Sequence, residues 1–145
     1  MRRAVVALLL ATALAALPVV ASAADVTSAG FTDRGTTLVA VGTVGGLDPA
    51  LSAQVNLTMA GTATVACVGT GVTRTVSVSQ GGPADSLAPG ETVFAVTTYE
   101  PVVTPENARC PASVDSVLVL DVVFQRAMIT VIQGLEVVAQ EGYAL

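Results

Sequence analysis

Histidine, lysine and tryptophan are absent from this chain of 145 residues. Without histidine there is no Ser-His-Asp or Cys-His arrangement, and the commonest transition-metal ligand is missing. Without lysine there is no Schiff-base nucleophile, and no Lys-Asn isopeptide cross-link can form. Tyr99 and Tyr143 are the only tyrosines. The aromatic platform usual in sugar sites is therefore lacking, which counts against lectins and glycosidases alike. Asp115 and Asp121 are six positions apart. On a regular strand that is about 20 Å, too far for either glycosidase geometry. No G-x-S-x-G, P-loop or dinucleotide fingerprint is present. Gly42-Thr43-Val44-Gly45-Gly46 is glycine-rich, but no helical pattern follows it, so it reads as a turn. No D-x-[DN]-x-[DN]-G calcium loop occurs. The expectation is a protein that is not an enzyme and holds neither cofactor nor metal.

Cysteine is nearly absent too. Cys67 and Cys110 are the only two. An even count in an exported chain reads as one structural disulfide. A redox pair or zinc site would call for C-x-x-C or histidine, and there is neither.

Export is read from residues 1–23. Arg2-Arg3 precede an uncharged Ala/Val/Leu run from Ala4 to Leu17, Pro18 ends it, and Ala21-Ser22-Ala23 follows. This is the layout of a secretory signal peptide. The run is shorter than the roughly 18 residues of a spanning helix. The mature chain is expected to start at Ala24, which is not the cysteine a lipoprotein needs, and to be extracellular. The later apolar stretch Val117 to Phe124 is too short to span a bilayer and carries Asp121, so no membrane association is expected after cleavage. Beyond the leader stand four arginines against eleven acids, a net charge near minus seven. That balance repels phosphate backbones and anionic lipids, so nucleic acid is not an expected partner. The Ala/Val/Gly/Thr bias and the missing lysine suggest a GC-rich, actinobacterial type of genome.

The remaining 122 or so residues suffice for one domain. Residues 24–35 lack clear periodicity and are expected to be a mobile segment, with a single domain over 36–145. From there the signal is period two. Between Ala53 and Cys67 the odd positions are Ala53, Val55, Leu57, Met59, Gly61, Ala63, Val65 and Cys67, and the even ones are Gln, Asn, Thr and Ala. Apolar and polar sets thus take opposite faces of a strand. Gly61 is expected to mark a bulge or bend that splits or re-aims it. Thr36–Val44, Val72–Gln80 and Thr92–Thr98 read as further strands. Arg74 interrupts the apolar set Val72, Val76 and Val78, as at a sheet edge. Ser116–Phe124 is apolar at nearly every position, as in a central strand covered on both faces. Gln125-Arg126 and Gln133-Gly134 read as hairpin turns of a three-stranded meander. The expected architecture is all-β, an Ig-like antiparallel sandwich of about seven strands with one disulfide.

The stretch from Tyr99 to Val114 holds Pro101, Pro105 and Pro111 and is anchored by Cys110. Loops on a β scaffold carry most binding function. Tyr99, Glu100, Glu106, Asn107 and Arg109 are the candidate contacts.

Three motifs, Gly61-Thr62-Ala63-Thr64-Val65-Ala66-Cys67, Phe94-Ala95-Val96-Thr97-Thr98 and Ala108-Arg109-Cys110-Pro111, resemble small exported actinobacterial proteins. Those have a G-T-A-T-V-x-C strand, a V-T-T strand and a later x-x-C-P cysteine. The resemblance spans about Val41 to Val131. It implies export and an Ig-like sandwich, and transfers no active site. Where such proteins carry an N-P-x-W-like stretch after the second cysteine, this chain has Pro111-Ala112-Ser113-Val114. Chromoprotein carrier apoproteins are similar in composition but have two disulfides. Subtilisin-inhibitor-like proteins also have two, with a reactive loop beside a cysteine that Arg109-Cys110-Pro111 resembles. The expected function is non-enzymatic binding of an extracellular protein or cell-envelope component. The alternatives are protease inhibition through the 99–110 loop and carriage of a small apolar ligand between the sheets.

Overall fold

The alternation between Ala53 and Cys67 makes the central strand, β3 (Ala53–Cys67). A computed structural model describes residues 23–145. The leader expected over residues 1–23 lies outside the described residues, apart from Ala23. Every odd position of β3 is buried and none of the even ones is. One long edge of β3 pairs with β7 (Val117–Gln133) over its whole length. The other pairs first with β5 (Asp85–Leu87) and then with β4 (Val72–Gly81). With β8 (Glu136–Ala144) beyond β7, the large sheet runs β4-β3-β7-β8.

A second sheet, in the order β1-β2-β6, covers the apolar face of the first. Its members are β1 (Asp25–Asp33), β2 (Leu38–Gly45) and β6 (Val93–Thr97). The result is a β-sandwich. Its core holds Leu38, Ala40, Val44, Phe94 and Val96 from the small sheet. The large sheet adds Val55, Leu57, Met59, Val65, Val122, Ile129 and Val131. Phe31 of β1 packs against Tyr143 of β8 with ring centroids 4.9 Å apart and the planes tilted by 59°. Partial burial, and then the neighbouring Glu141 charge, raise the Tyr143 phenol above its ordinary value.

Residues 24–35, expected to be mobile, instead carry β1, which brings the strands among the described residues to eight. The cause is a bulge at Thr27. The β1–β2 register shifts between Val26 and Ser28, which puts Val26, Ala29 and Phe31 opposite the inward-facing Val44, Gly42 and Ala40. A strict period of two could not reveal that set.

The C-terminal meander is also corrected. Gln125-Arg126 is not a turn, and β7 runs unbroken for 17 residues. Its pairing with β3 skips Gln125 at one register shift and Leu120 at another. Each bulge switches which parity faces the core, so Val117, Val119, Val122, Phe124, Ala127, Ile129 and Val131 all face it. The near-continuous apolar run comes from these switches, not from cover on two faces. Leu118, Leu120 and Val123 stay 55, 48 and 57% exposed. The one hairpin turn here is Gly134-Leu135, with Gly134 at φ 65° and Gln133 opposite Glu136. Gly61 does mark the bulge, yet β3 continues through it. A Cβ at this position would lie 2.3 Å from the Val123 carbonyl oxygen. Glycine thus lets the two backbones close where β7 bulges.

Candidate functional site

The two cysteines form the expected bridge, with Cα atoms 5.8 Å apart. It ties the end of β3 to the 98–116 loop, whereas the bridge of antibody domains joins the two sheets. The loop is built stepwise. Thr98 is buried, its Oγ1 accepts the Leu38 N–H at 3.0 Å and its own N–H donates to the Leu38 carbonyl. The next N–H, that of Tyr99, donates to the Gly81 carbonyl of β4 at 2.8 Å. The chain therefore crosses from the small sheet to the edge of the large one in two residues. The Tyr99 ring is exposed. Glu100 Oε2 accepts from the Thr36 hydroxyl at 3.3 Å.

Residues 104–110 then form a single capped turn. The Thr104 hydroxyl accepts the Asn107 N–H at 3.2 Å, and the Thr104 carbonyl accepts the Ala108 N–H at 3.0 Å. Pro105 sits at the first position, where a missing N–H costs nothing. The turn ends with Arg109 N–H on the Glu106 carbonyl and Cys110 N–H on the Pro105 carbonyl, both at 2.9 Å. This is the paired closure of a helix end whose next-to-last residue is normally glycine. Here that residue is Arg109, at φ 53°, the only non-glycine residue with positive φ among the described residues.

An L-residue other than glycine in this region costs roughly 1–2 kcal/mol, offset in part by the entropy a glycine would lose on folding. Arg109→Gly is therefore expected to stabilise the fold by about 1 kcal/mol. Chemical unfolding checks this through the midpoint. A lower midpoint would show that the Arg109 side chain holds the fold through contacts that outweigh the strain.

The turn stands beside β4, and a groove of about 580 Å³ lies between them. Arg74, Thr75, Val76 and Ser77 form one wall, with Asn107 and Arg109 on the other. A smaller hollow of about 130 Å³ continues it along Val76–Ser79 toward Pro101–Val103. Of the five candidate residues, then, the fold brings Asn107 and Arg109 to the groove. Tyr99 and Glu100 stand at the start of the loop, near Gly81 and Thr36, and Glu106 does not line the groove. Arg74, which in sequence breaks an apolar set as at a sheet edge, lies on the edge strand β4. It proves to be the groove's second cation. Its signal in sequence was an arginine where alternation calls for an aliphatic residue. Thr104 carried a readable signal as well, a hydroxyl followed by Pro and acid, as at a helix start.

A separate hollow of about 500 Å³ lies on the outer face of the large sheet, over Ala60, Arg126, Met128 and Gly142. Among the described residues no group of three or more His, Cys, Asp or Glu is placed to hold a metal ion. Among them, too, no helix is long and apolar enough to cross a membrane. No protein-family model, curated protein or solved structure matches the chain.

Proposed function

We propose that this protein is an exported, non-enzymatic Ig-like module, akin to the small actinobacterial proteins it resembles, and that it binds an extracellular protein or cell-envelope component through the 99–110 loop. The observation that carries this reading is Arg109. A charged side chain is kept in a strained backbone conformation, on a turn capped at both ends and stapled to the core strand. Strain maintained by over-determined surroundings is typical of functional positions. The disulfide fits an oxidising compartment, and the leader-like pattern of residues 1–23 fits export. The turn also argues against protease inhibition through Arg109, because proteases take their substrates extended. The aliphatic side chains filling the space between the sheets argue against a carrier.

The test is capture from native culture medium and cell-wall extract with the oxidised protein starting at Ala24. Because the chain has no lysine, the cross-linker must target carboxylates or the N-terminal amine. Wild type is expected to retain a component that a variant with Tyr99, Glu100, Asn107 and Arg109 all replaced by alanine does not. Equal retention by both proteins would remove the loop from the proposal.

A further inference from the structure

Resting on the binding-module reading, we propose that the groove takes an extended acidic peptide segment of the partner, which adds to β4 as a further strand and places its carboxylates on Arg74 and Arg109.

The free edges of the two sheets are not alike. β1 carries the Thr27 bulge and an aspartate at each end. β8 carries a bulge at Val138 and both Glu136 and Glu141. β5 and β6 are three and five residues long. Bulges, charges and shortness are the usual devices that keep an edge from pairing. β4 has none of the three along most of its length. It is ten residues long, pairs with β3 without a register shift, and its one charged residue is Arg74.

The direction of its free backbone groups follows from two hydrogen bonds. The Val68 N–H donates toward the β7 side, to Ser116, so Cys67 faces β4. Its partner Val72, and then Arg74, Val76, Val78 and Gln80, direct their N–H and C=O groups at β3. The Gly81 carbonyl, accepting from Tyr99, points the opposite way and agrees with this alternation. Thr73, Thr75, Ser77 and Ser79 thus turn their backbone N–H and C=O outward. Among the described residues, Tyr99 makes the only backbone hydrogen bond from the loop to this strand.

Charge selects the occupant. Residues 23–145 hold four arginines and eleven acids. The larger part of the groove is lined by two of those arginines and by no acid. A strand laid along β4 would gain main-chain hydrogen bonds for affinity and meet side-chain positions that set specificity. Carboxylates on it would form charge-assisted bonds with the guanidinium groups. A second copy of β4 would instead bring further arginine to the same place.

The experiment measures amide hydrogen exchange in the oxidised protein. The probes are a small set of nine-residue Thr/Val-alternating peptides bearing two aspartates, and the same set with asparagine in their place. The amides of Thr73, Thr75, Ser77 and Ser79 are expected to exchange rapidly in the free protein and to slow by about tenfold or more with the aspartate peptides. The asparagine set and the Arg74→Gln variant are expected to bind about tenfold more weakly. Ser77→Pro removes one outward N–H, which an edge strand tolerates, and is expected to abolish the protection. Its thermal unfolding would confirm an intact fold, and Arg74→Gln provides a second check should that fold fail. No protection by any aspartate peptide would overturn the proposal. So would equal binding by Ser77→Pro, or protection that rises with protein concentration alone. If Ser77→Pro still captures the component that the loop variant loses, strand addition fails and the binding module stands. If wild type captures nothing and no peptide binds, both fall.

Discussion

Replacing Cys67 and Cys110 together by alanine is expected to lower the unfolding free energy by about 4 kcal/mol. The two residues are 43 apart in sequence. Cross-linking them removes from the unfolded chain the freedom of a loop of that length. Stabilities of small domains are commonly about 5–15 kcal/mol, so this loss is a large share of the total. The native state suffers as well. Cys67 ends the central strand, and Cys110 closes the capped turn onto it. Without the bridge the loop is held by the buried Pro101, Ala108 and Val114 and the half-buried Val103. The groove beside β4 should then open before the sandwich melts. Urea unfolding of the oxidised protein and of the double variant measures the difference. A loss below about 1 kcal/mol would mean that the loop is organised by its own caps and that its closure contributes little.

Phe94→Ala is expected to cost about 3–5 kcal/mol. Phe94 is the largest of the fully buried side chains. Its partner across the β2–β6 ladder is Gly42, and the ring lies where a Gly42 side chain would be. An aromatic ring laid over a cross-strand glycine supplies the packing the glycine cannot. Its removal leaves a void that cannot readily collapse, because Gly42 has no side chain and the adjacent buried Ala40 only a methyl fixed to the backbone. Gly42→Ala is not expected to rescue the variant. The added Cβ would still meet the Ser28 carbonyl oxygen at 2.1 Å. Chemical unfolding of Phe94→Ala, alone and with Gly42→Ala, checks both statements. A cost under about 2 kcal/mol for the single variant would show that the small sheet slides inward to fill the space.

These two sites show how unevenly the fold could be read from sequence. The strands β2, β3, β4 and β6 follow from alternation, since each keeps one parity toward the core. The disulfide follows from there being two cysteines and no chemistry for them to share. β1 and β7 escape the same reading because Thr27, Leu120 and Gln125 are bulged. A bulge is a relation between two strands. It leaves no mark within one strand except a break in period, which looks like a loop at β1 and like a doubly buried strand at β7. The pairing of Gly42 with Phe94 is of the same kind, because glycine between apolar residues does not announce which ring will cover it.

The candidate site divides along this line too. That the 99–114 stretch is a rigid connection, rich in proline and anchored by cysteine, is a property of its composition. So are the absence of histidine and lysine and the acidic balance of the chain. The meeting of Arg74 with Arg109 is not. It depends on the crossover at Thr98 and Tyr99, on the disulfide drawing the turn toward β4, and on the backbone conformation of Arg109. Short-range chemistry thus determined which regularly alternating segments are strands and which residues cross-link, because both rest on residue type and spacing. Tertiary structure alone decided which edge stays open and which charges share a groove. Register and sheet order are set by contacts between residues far apart in the chain, and no local pattern encodes them.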